Sequence, residues 1–475
     1  MKLFFSLVGV FAMMNFSTTT GVSQTSGDSS QSPLTVAESS DFKSTSKSAE
    51  VVGFIDACVK KAAHVSRFDW GETVEGKTLV GAIVAKQAYK LGDQDDRNVI
   101  LLLGNIHSGE CAGKEALLIL LRELTDNPDH PWLKQNVILF APNYNADGND
   151  RMGKDNRPGQ VGPVNGMGRR ENAQQLDLNR DFSKIESPEA RALVRLIDTS
   201  NPHLFVDCHT TNGSKHQYSL TYDIPHNPAT AEPIRRFLRE KMMPAVTQQL
   251  ATQGTKTFYY GNFNREHTRW TTYGHEPRYS TEYVGLRGRL AILSEAYSYL
   301  DYKGRIFATK DFVSGLLDYV TENSRAVHQL LESVDHELIE TASVEPSRLS
   351  LSLAAKNGPF EEKFILKGFK DGEPHDYECE FISKYEPTKT TQFAFAYIIP
   401  EGFERVVDRL LMHGVDVERL SSDLTAEVEV DRIVALDRAD RAFQKHKMVR
   451  LDADRESSEL VIPAGSYLVK TGQPL

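Results

Sequence analysis

The stretch Leu101-Leu-Leu-Gly-Asn-Ile-His107-Ser-Gly-Glu110-Cys-Ala-Gly-Lys114 joins two different periodicities. Val99 to Leu103 is a short apolar run of the kind buried on both faces of a sheet. Lys114 to Leu124 repeats its apolar residues at the spacing of an amphipathic helix. The order is therefore strand, glycine-containing turn, helix. His107 and Glu110 fall in the connection, three residues apart, where an imidazole and a carboxylate can converge on one point. With a second histidine from elsewhere they would form the two-histidine, one-glutamate set that leaves a fourth position on zinc open.

The pair by itself is common. His375-Asp-Tyr-Glu378 has the same form without the strand–turn–helix setting, and reads as exposed strand residues. The plain alternative for His107 and Glu110 is a surface histidine and a first-turn glutamate favoured by the helix dipole. Companions elsewhere in the chain have to decide.

The 475 residues suit two or three domains. A formal net charge of −10 argues against a nucleic-acid-binding surface. Lys2, the apolar run Leu3 to Phe16 and the small residues Gly21-Val-Ser23 read as a secretory signal peptide over 1–23. The run is too short to span a bilayer, and no cysteine stands near the cleavage point for a lipid anchor. The expectation is a secreted or periplasmic protein without a membrane anchor once the signal is removed. Cys58, Cys111, Cys208 and Cys379 are too few and scattered for a disulfide scaffold, and read as small buried packing residues.

Residues 24–48 are rich in Ser and Thr and read as a flexible linker. From 49 to 340 strands alternate with helices, which predicts an α/β domain with a mixed, largely parallel twisted sheet flanked by helices. Its later parts include a long polar loop over 149–175 and a helix opened by Ser187-Pro188. The apolar strands His203–His209 and Arg289–Tyr297 follow, then a closing helix over 310–331. Beyond 345 the pattern becomes mainly β, with one helix at Glu404–Met412, so 345–475 reads as a separate accessory domain.

Ligands gather at the carboxyl ends of strands in open α/β sheets. Four polar groups fall there: His107 with Glu110, the segment Asp177-Leu-Asn-Arg180, His209, and Glu295. Glu295 follows Leu290-Ala-Ile-Leu-Ser294, where an unpaired carboxylate would cost several kcal/mol, so it needs a partner or a task.

Together these pieces resemble the carboxypeptidase A family of zinc metallopeptidases over about 49–335, all four in family order, with a secreted bacterial-type member in view. The resemblance implies one zinc ion held by His107, Glu110 and His209, with Asp177 holding the first histidine through its other ring nitrogen. It implies that Asn179 and Arg180 grip the substrate's terminal carboxylate, and that Glu295 is the general base acting on a zinc-activated water. Arg170 is the choice for stabilising the oxyanion, with Arg169, Arg157 and Arg151 as alternatives. Tyr273 is the choice for the family's mobile tyrosine, with Tyr279 and Tyr283 also in range.

The implied activity is hydrolysis of the C-terminal peptide bond of peptides with a free terminal carboxylate. A zinc deacylase of N-acyl amino acids, similar to aspartoacylase, shares two of the motifs, but usually places its ligand pair near the N-terminus. A non-catalytic peptide-binding protein on this scaffold would have lost a ligand or the base, and neither is missing here.

Overall fold

The computed structural model describes residues 32–93, 96–211, 213–473 and 475. The expected signal peptide lies outside the described residues. Up to Tyr297 the strands are β1 (Val65–Glu72), β2 (Thr78–Val84), β3 (Asn98–Gly104), β4 (Asn136–Ala141), β5 (Leu204–Thr211), β6 (Leu220–Asp223), β7 (Thr257–Tyr259), β8 (Asn262–Phe263), β9 (Arg269–Thr271) and β10 (Leu290–Tyr297). All but β8 and β9 form one sheet in the order β1-β2-β4-β3-β5-β10-β6-β7. The centre, β4-β3-β5-β10, is parallel, as is β6-β7, while β1-β2, β2-β4 and β10-β6 are antiparallel.

The helices are α1 (Val36–Ser39), α2 (Ser48–Lys61), α3 (Ala112–Asp126), α4 (Ala146–Asp150), α5 (Pro188–Ser200), α6 (Glu232–Phe237), α7 (Met243–Thr252), α8 (Ser280–Leu286), α9 (Tyr302–Glu322), α10 (Ser324–Val344) and α11 (Glu404–Met412). Alternate β3 residues feed opposite cores, as a pleated strand requires. Ile100 and Leu102 pack beneath α2, α3, α7 and α9, and Leu101 and Leu103 beneath α5. In α3, Leu117, Leu118, Leu120, Leu121 and Leu124 are buried, each contributing about 2 kcal/mol of apolar burial. Burial on both faces explains why β3 reads as a continuous apolar run.

Two expectations need correction. The part of the expected linker that is described, from residue 32, is ordered. Thr45 Oγ1 and the Ser46 amide donate to the buried Glu115 carboxylate at 2.8 and 2.7 Å, and the buried Lys114 ammonium donates to the Ser46 carbonyl. The hydroxyl-rich composition thus satisfies buried charges on α3. The closing helix is two helices, α9 and α10, meeting at Asn323. Beyond 345 the chain is the expected β-rich region, and one strand pairing ties it to the preceding part. There β11 (Ser350–Lys370) and β12 (Glu373–Gln392) form a long hairpin, and β12 pairs in parallel with β9 from Glu380 opposite Arg269 to Ile382 opposite Thr271. A strand edge left open by β8 and β9 is covered in this way. Trp270 is fully buried there with Leu366 and Phe381.

The remaining strands are β13 (Ala396–Ile399), β14 (Glu418–Arg419), β15 (Leu424–Phe443), β16 (His446–Ile462) and β17 (Tyr467–Lys470). β13, β17 and β14 form a small sheet, while β15 and β16 form a two-stranded ribbon exposed along nearly its whole length. His375 and Glu378 are exposed on β12, as expected for residues outside a site. All four cysteines are free and buried. Among the described residues, no helix is long and apolar enough to cross a membrane.

Candidate metal centre and substrate cleft

The chain leaves β3 through Asn105, whose φ of 66° is left-handed and turns the backbone back towards the sheet edge. The Asn105 amide holds that turn by donating to Asn143 and Asn149 at 2.7 and 3.0 Å. His107 and Glu110 follow, both buried. Two glycines make the packing possible. A Cβ at Gly109 would stand 2.5 Å from the Arg157 side chain, and one at Gly113 would stand 2.5 Å from the Cys208 Cβ. The first lets Arg157 cross the loop; the second seats the start of α3 on β5, next to His209.

The Glu110 carboxylate lies 3.1 Å from His107 Nδ1 and 2.9 Å from His209 Nδ1. The opposite ring nitrogens face aspartates: His107 Nε2 is 2.9 Å from Asp177 and His209 Nε2 is 2.9 Å from Asp207. Both imidazoles turn Nδ1 inward, and for His107 the bond to Asp177 fixes the tautomer a metal ligand needs. One ligand atom from each of His107, Glu110 and His209 lies within 4.8 Å of the other two. The donor set fits a single metal ion.

Electrostatics point the same way. Although burial pushes the other way, His107 and Arg157 hold the Glu110 carboxyl well below its usual range. Burial likewise opposes charge on His209, yet Asp207 and Glu110 raise its affinity for a proton well above normal. A pocket that draws positive charge onto a buried imidazole is suited to a divalent cation.

The two aspartates are also joined to each other. Ser280 Oγ donates to Asp207 at 2.5 Å, the Ser280 amide donates to Asn179 Oδ1 at 2.8 Å, and the Asn179 amide donates to Asp177 at 2.9 Å. Ser280 opens α8, so the start of that helix ties the backing of one histidine to the other.

Glu295 stands on β10 directly beside His209 on β5. Its Oε2 is shielded from solvent without a hydrogen-bond partner among the described residues. Burial raises the Glu295 carboxyl above its usual range and the Glu110 carboxylate adds to this, against the lowering effect of His209. With His107, Glu110, His209, Arg170, Asn179 and Arg180 it lines a cleft of about 170 Å³. Arg180 sits on a 3₁₀ turn, its guanidinium 4.4 Å from the centre of the Tyr279 ring.

His107, Glu110, His209, Arg170, Asn179, Arg180, Tyr273 and Glu295 are brought together around the cleft, with Asp177 behind His107. Arg170 donates twice to Asp177, at 2.8 and 3.0 Å, and lies 3.5 Å from Glu110. Arg157 is buried behind the site, 2.8 Å from Glu110, whereas Arg151 turns away to Glu75. Tyr273 and Tyr279 line the cleft, while the Tyr283 hydroxyl instead meets His413. Sequence reasoning missed Asp207 and Ser280. Asp207 carried a signal, a carboxylate inside an apolar strand; Ser280 carried none.

Residues 51–285 match the family described as zinc carboxypeptidase. The match spans both histidines, Glu110, Asp177 and Arg180, and ends ten residues before Glu295. Carboxypeptidase 2 of Trichophyton rubrum is 21% identical over 445 residues, covering 89% of this chain and 78% of its own length. Human carboxypeptidase Z is 31% identical over 147 residues, 29% of this chain and 22% of its own. The solved carboxypeptidase A of Helicoverpa armigera aligns over 60% of this chain and 75% of its own at 15% identity, with a TM-score of 0.45. The likeness of residues 51–285 to the zinc carboxypeptidase family and the His–Glu–His triad together make this chain a zinc metallocarboxypeptidase.

Proposed function

We propose that this chain is exported and removes the C-terminal residue from peptides with a free terminal carboxylate, with Glu295 as general base. The observation that carries this reading is the juxtaposition of Glu295, the triad, Asn179 and Arg180 in one cleft. The signal-like residues 1–23 support export.

His107, Glu110 and His209 would hold one zinc ion, which supplies Lewis acidity that makes water more acidic and a carbonyl more electrophilic. Arg180 offers a planar fork suited to a carboxylate, and Asn179 lies beside it in the cleft. Their position fixes which peptide bond reaches Glu295. Glu295, made more basic by burial, takes a proton from the attacking water and passes it to the leaving amine. Arg170, anchored on Asp177 at the cleft wall, is placed to stabilise negative charge on the carbonyl oxygen.

The test incubates the zinc-loaded protein with a peptide mixture and with N-acyl amino acids. Release of single C-terminal amino acids supports the reading. Hydrolysis of N-acyl amino acids alone would assign the deacylase activity instead, and tight peptide binding without turnover would make it a binding protein.

A further inference from the structure

The β15–β16 ribbon presents a physical problem. A two-stranded hairpin exposed on both sides is marginal in water by itself, yet this one extends over 20 and 17 residues. Its turn is docked onto the catalytic domain. Gln444 Oε1 accepts the Asp177 amide at 2.9 Å, Lys445 Nζ donates to the Gln174 carbonyl at 2.5 Å, and His446 Nε2 lies 2.8 Å from the Glu186 carboxylate. Phe443 packs under the Arg278 guanidinium, 5.1 Å from ring centre to Cζ.

These contacts fall on one rim of the cleft and lead directly into it. Asp177 backs His107 and opens the turn that carries Asn179 and Arg180. The Arg278 guanidinium also lies 5.2 Å from the centre of the Tyr279 ring, and that ring carries Arg180 on its face at 4.4 Å. A continuous stack therefore runs Phe443–Arg278–Tyr279–Arg180, and the hydrogen bond that the Asp177 amide donates to Gln444 Oε1 fixes the start of the Arg180 turn. Both routes end on the residue assigned to the substrate carboxylate.

We propose that the ribbon tip, through Phe443 and Gln444, is a positioning element of the substrate site: it holds the Asp177–Arg180 turn and the Tyr279 ring in the carboxylate-binding arrangement. The claim rests on the proposed carboxypeptidase reading for what Arg180 binds. Neither tip residue touches the reacting atoms, so the effect falls on substrate binding. The accessory region is then part of the enzyme's specificity, although residues 443–446 lie far along the sequence from the family match.

The test uses the full chain, loaded with zinc, as wild type, Phe443→Ala, Phe443→Tyr and Gln444→Ala, with Arg432→Ala on the exposed shaft as control. Steady-state kinetics are measured on a peptide with a free C-terminal carboxylate, and amide exchange is followed over 174–186. The expected result is KM raised about fivefold or more in Phe443→Ala and Gln444→Ala, with kcat and zinc content held within about twofold. Phe443→Tyr should restore KM, the shaft variant should match wild type, and exchange over 174–186 should quicken in Gln444→Ala. Unchanged KM and exchange would overturn the proposal, as would a parallel fall of kcat and zinc content, which marks a merely structural role. Should wild type release no amino acid from any peptide, the carboxypeptidase reading fails, and the exchange measurement alone then decides whether the tip orders the turn.

Discussion

Glu295 and His209 occupy opposing positions in the register of two adjacent parallel strands, β10 and β5. Side chains opposite one another in a sheet share a face. The proposed base on β10 is thereby held beside His209 on β5 by the central hydrogen-bonding of the sheet, with no loop in between. The other ligands come from the turn after β3, the strand on the far side of β5.

The link between the two aspartates predicts a remote effect on metal binding. Ser280→Ala removes the hydroxyl that donates to Asp207, leaving that buried carboxylate with one partner fewer. Loss of such outer support typically lowers metal affinity about 10- to 100-fold. Competition with a chromophoric chelator measures it, and an unchanged zinc dissociation constant would show that Asp207 orients His209 without help from Ser280.

Arg180 should act on the terminal carboxylate and on little else. Arg180→Ala is expected to raise KM for free-acid peptides, lowering kcat/KM by about 100-fold. The variant and wild type should differ far less on the same peptides with amidated C-termini. Equal losses on both series would remove the assignment.

Removing the metal should loosen the fold as well as stop turnover. The triad brings together segments from β3, α3 and β5, so zinc bound only to the folded state stabilises it by mass action, by about 4 kcal/mol at a thousandfold excess over Kd. Chelation is expected to abolish activity and lower Tm by several degrees, with both restored by added zinc. A Tm indifferent to chelation would place the ion elsewhere.

Away from the metal centre, Glu282 gives a pH signature. Its carboxylate accepts the amides of His226 and Asn227 at 2.9 Å each, yet burial pushes its carboxyl up to about 7 from an ordinary 4.5, against the lowering effect of His226. A raised folded-state pKa means the folded protein holds the extra proton between those values. That stabilisation is complete below about 4.5 and is lost as pH rises through about 7. Glu282→Gln keeps an acceptor oxygen and cannot titrate. Between about pH 5 and 8 the wild type should lose about 3 kcal/mol of stability relative to the variant, seen in paired thermal melts. A constant difference across that range would contradict the burial argument.

Much of the catalytic half was legible because its signals are local. Val99–Leu103 reads as a buried strand because it is one, and His107-Ser-Gly-Glu110 is separated from its twin at 375 only by the strand–turn–helix setting. Glu295 was legible from the cost of a carboxylate in an apolar run, and the same reasoning applied to Leu204-Phe-Val-Asp207 would have found Asp207. What was not legible depends on long-range pairing. Nothing local in β12 shows that it joins β9, and nothing in Thr45 and Ser46 shows that they satisfy Glu115, some 70 residues away. The docking of Gln444 on Asp177 joins residues 267 positions apart, which no periodicity can reveal.

The central claim is that Glu295 moves the proton. The most direct measurement is kcat of Glu295→Gln on a free-acid peptide, with zinc content determined on the same sample. The account predicts full zinc occupancy, a KM close to wild type and kcat lowered by about a thousandfold, within the range for loss of a general base. Activity retained at full zinc occupancy would contradict it.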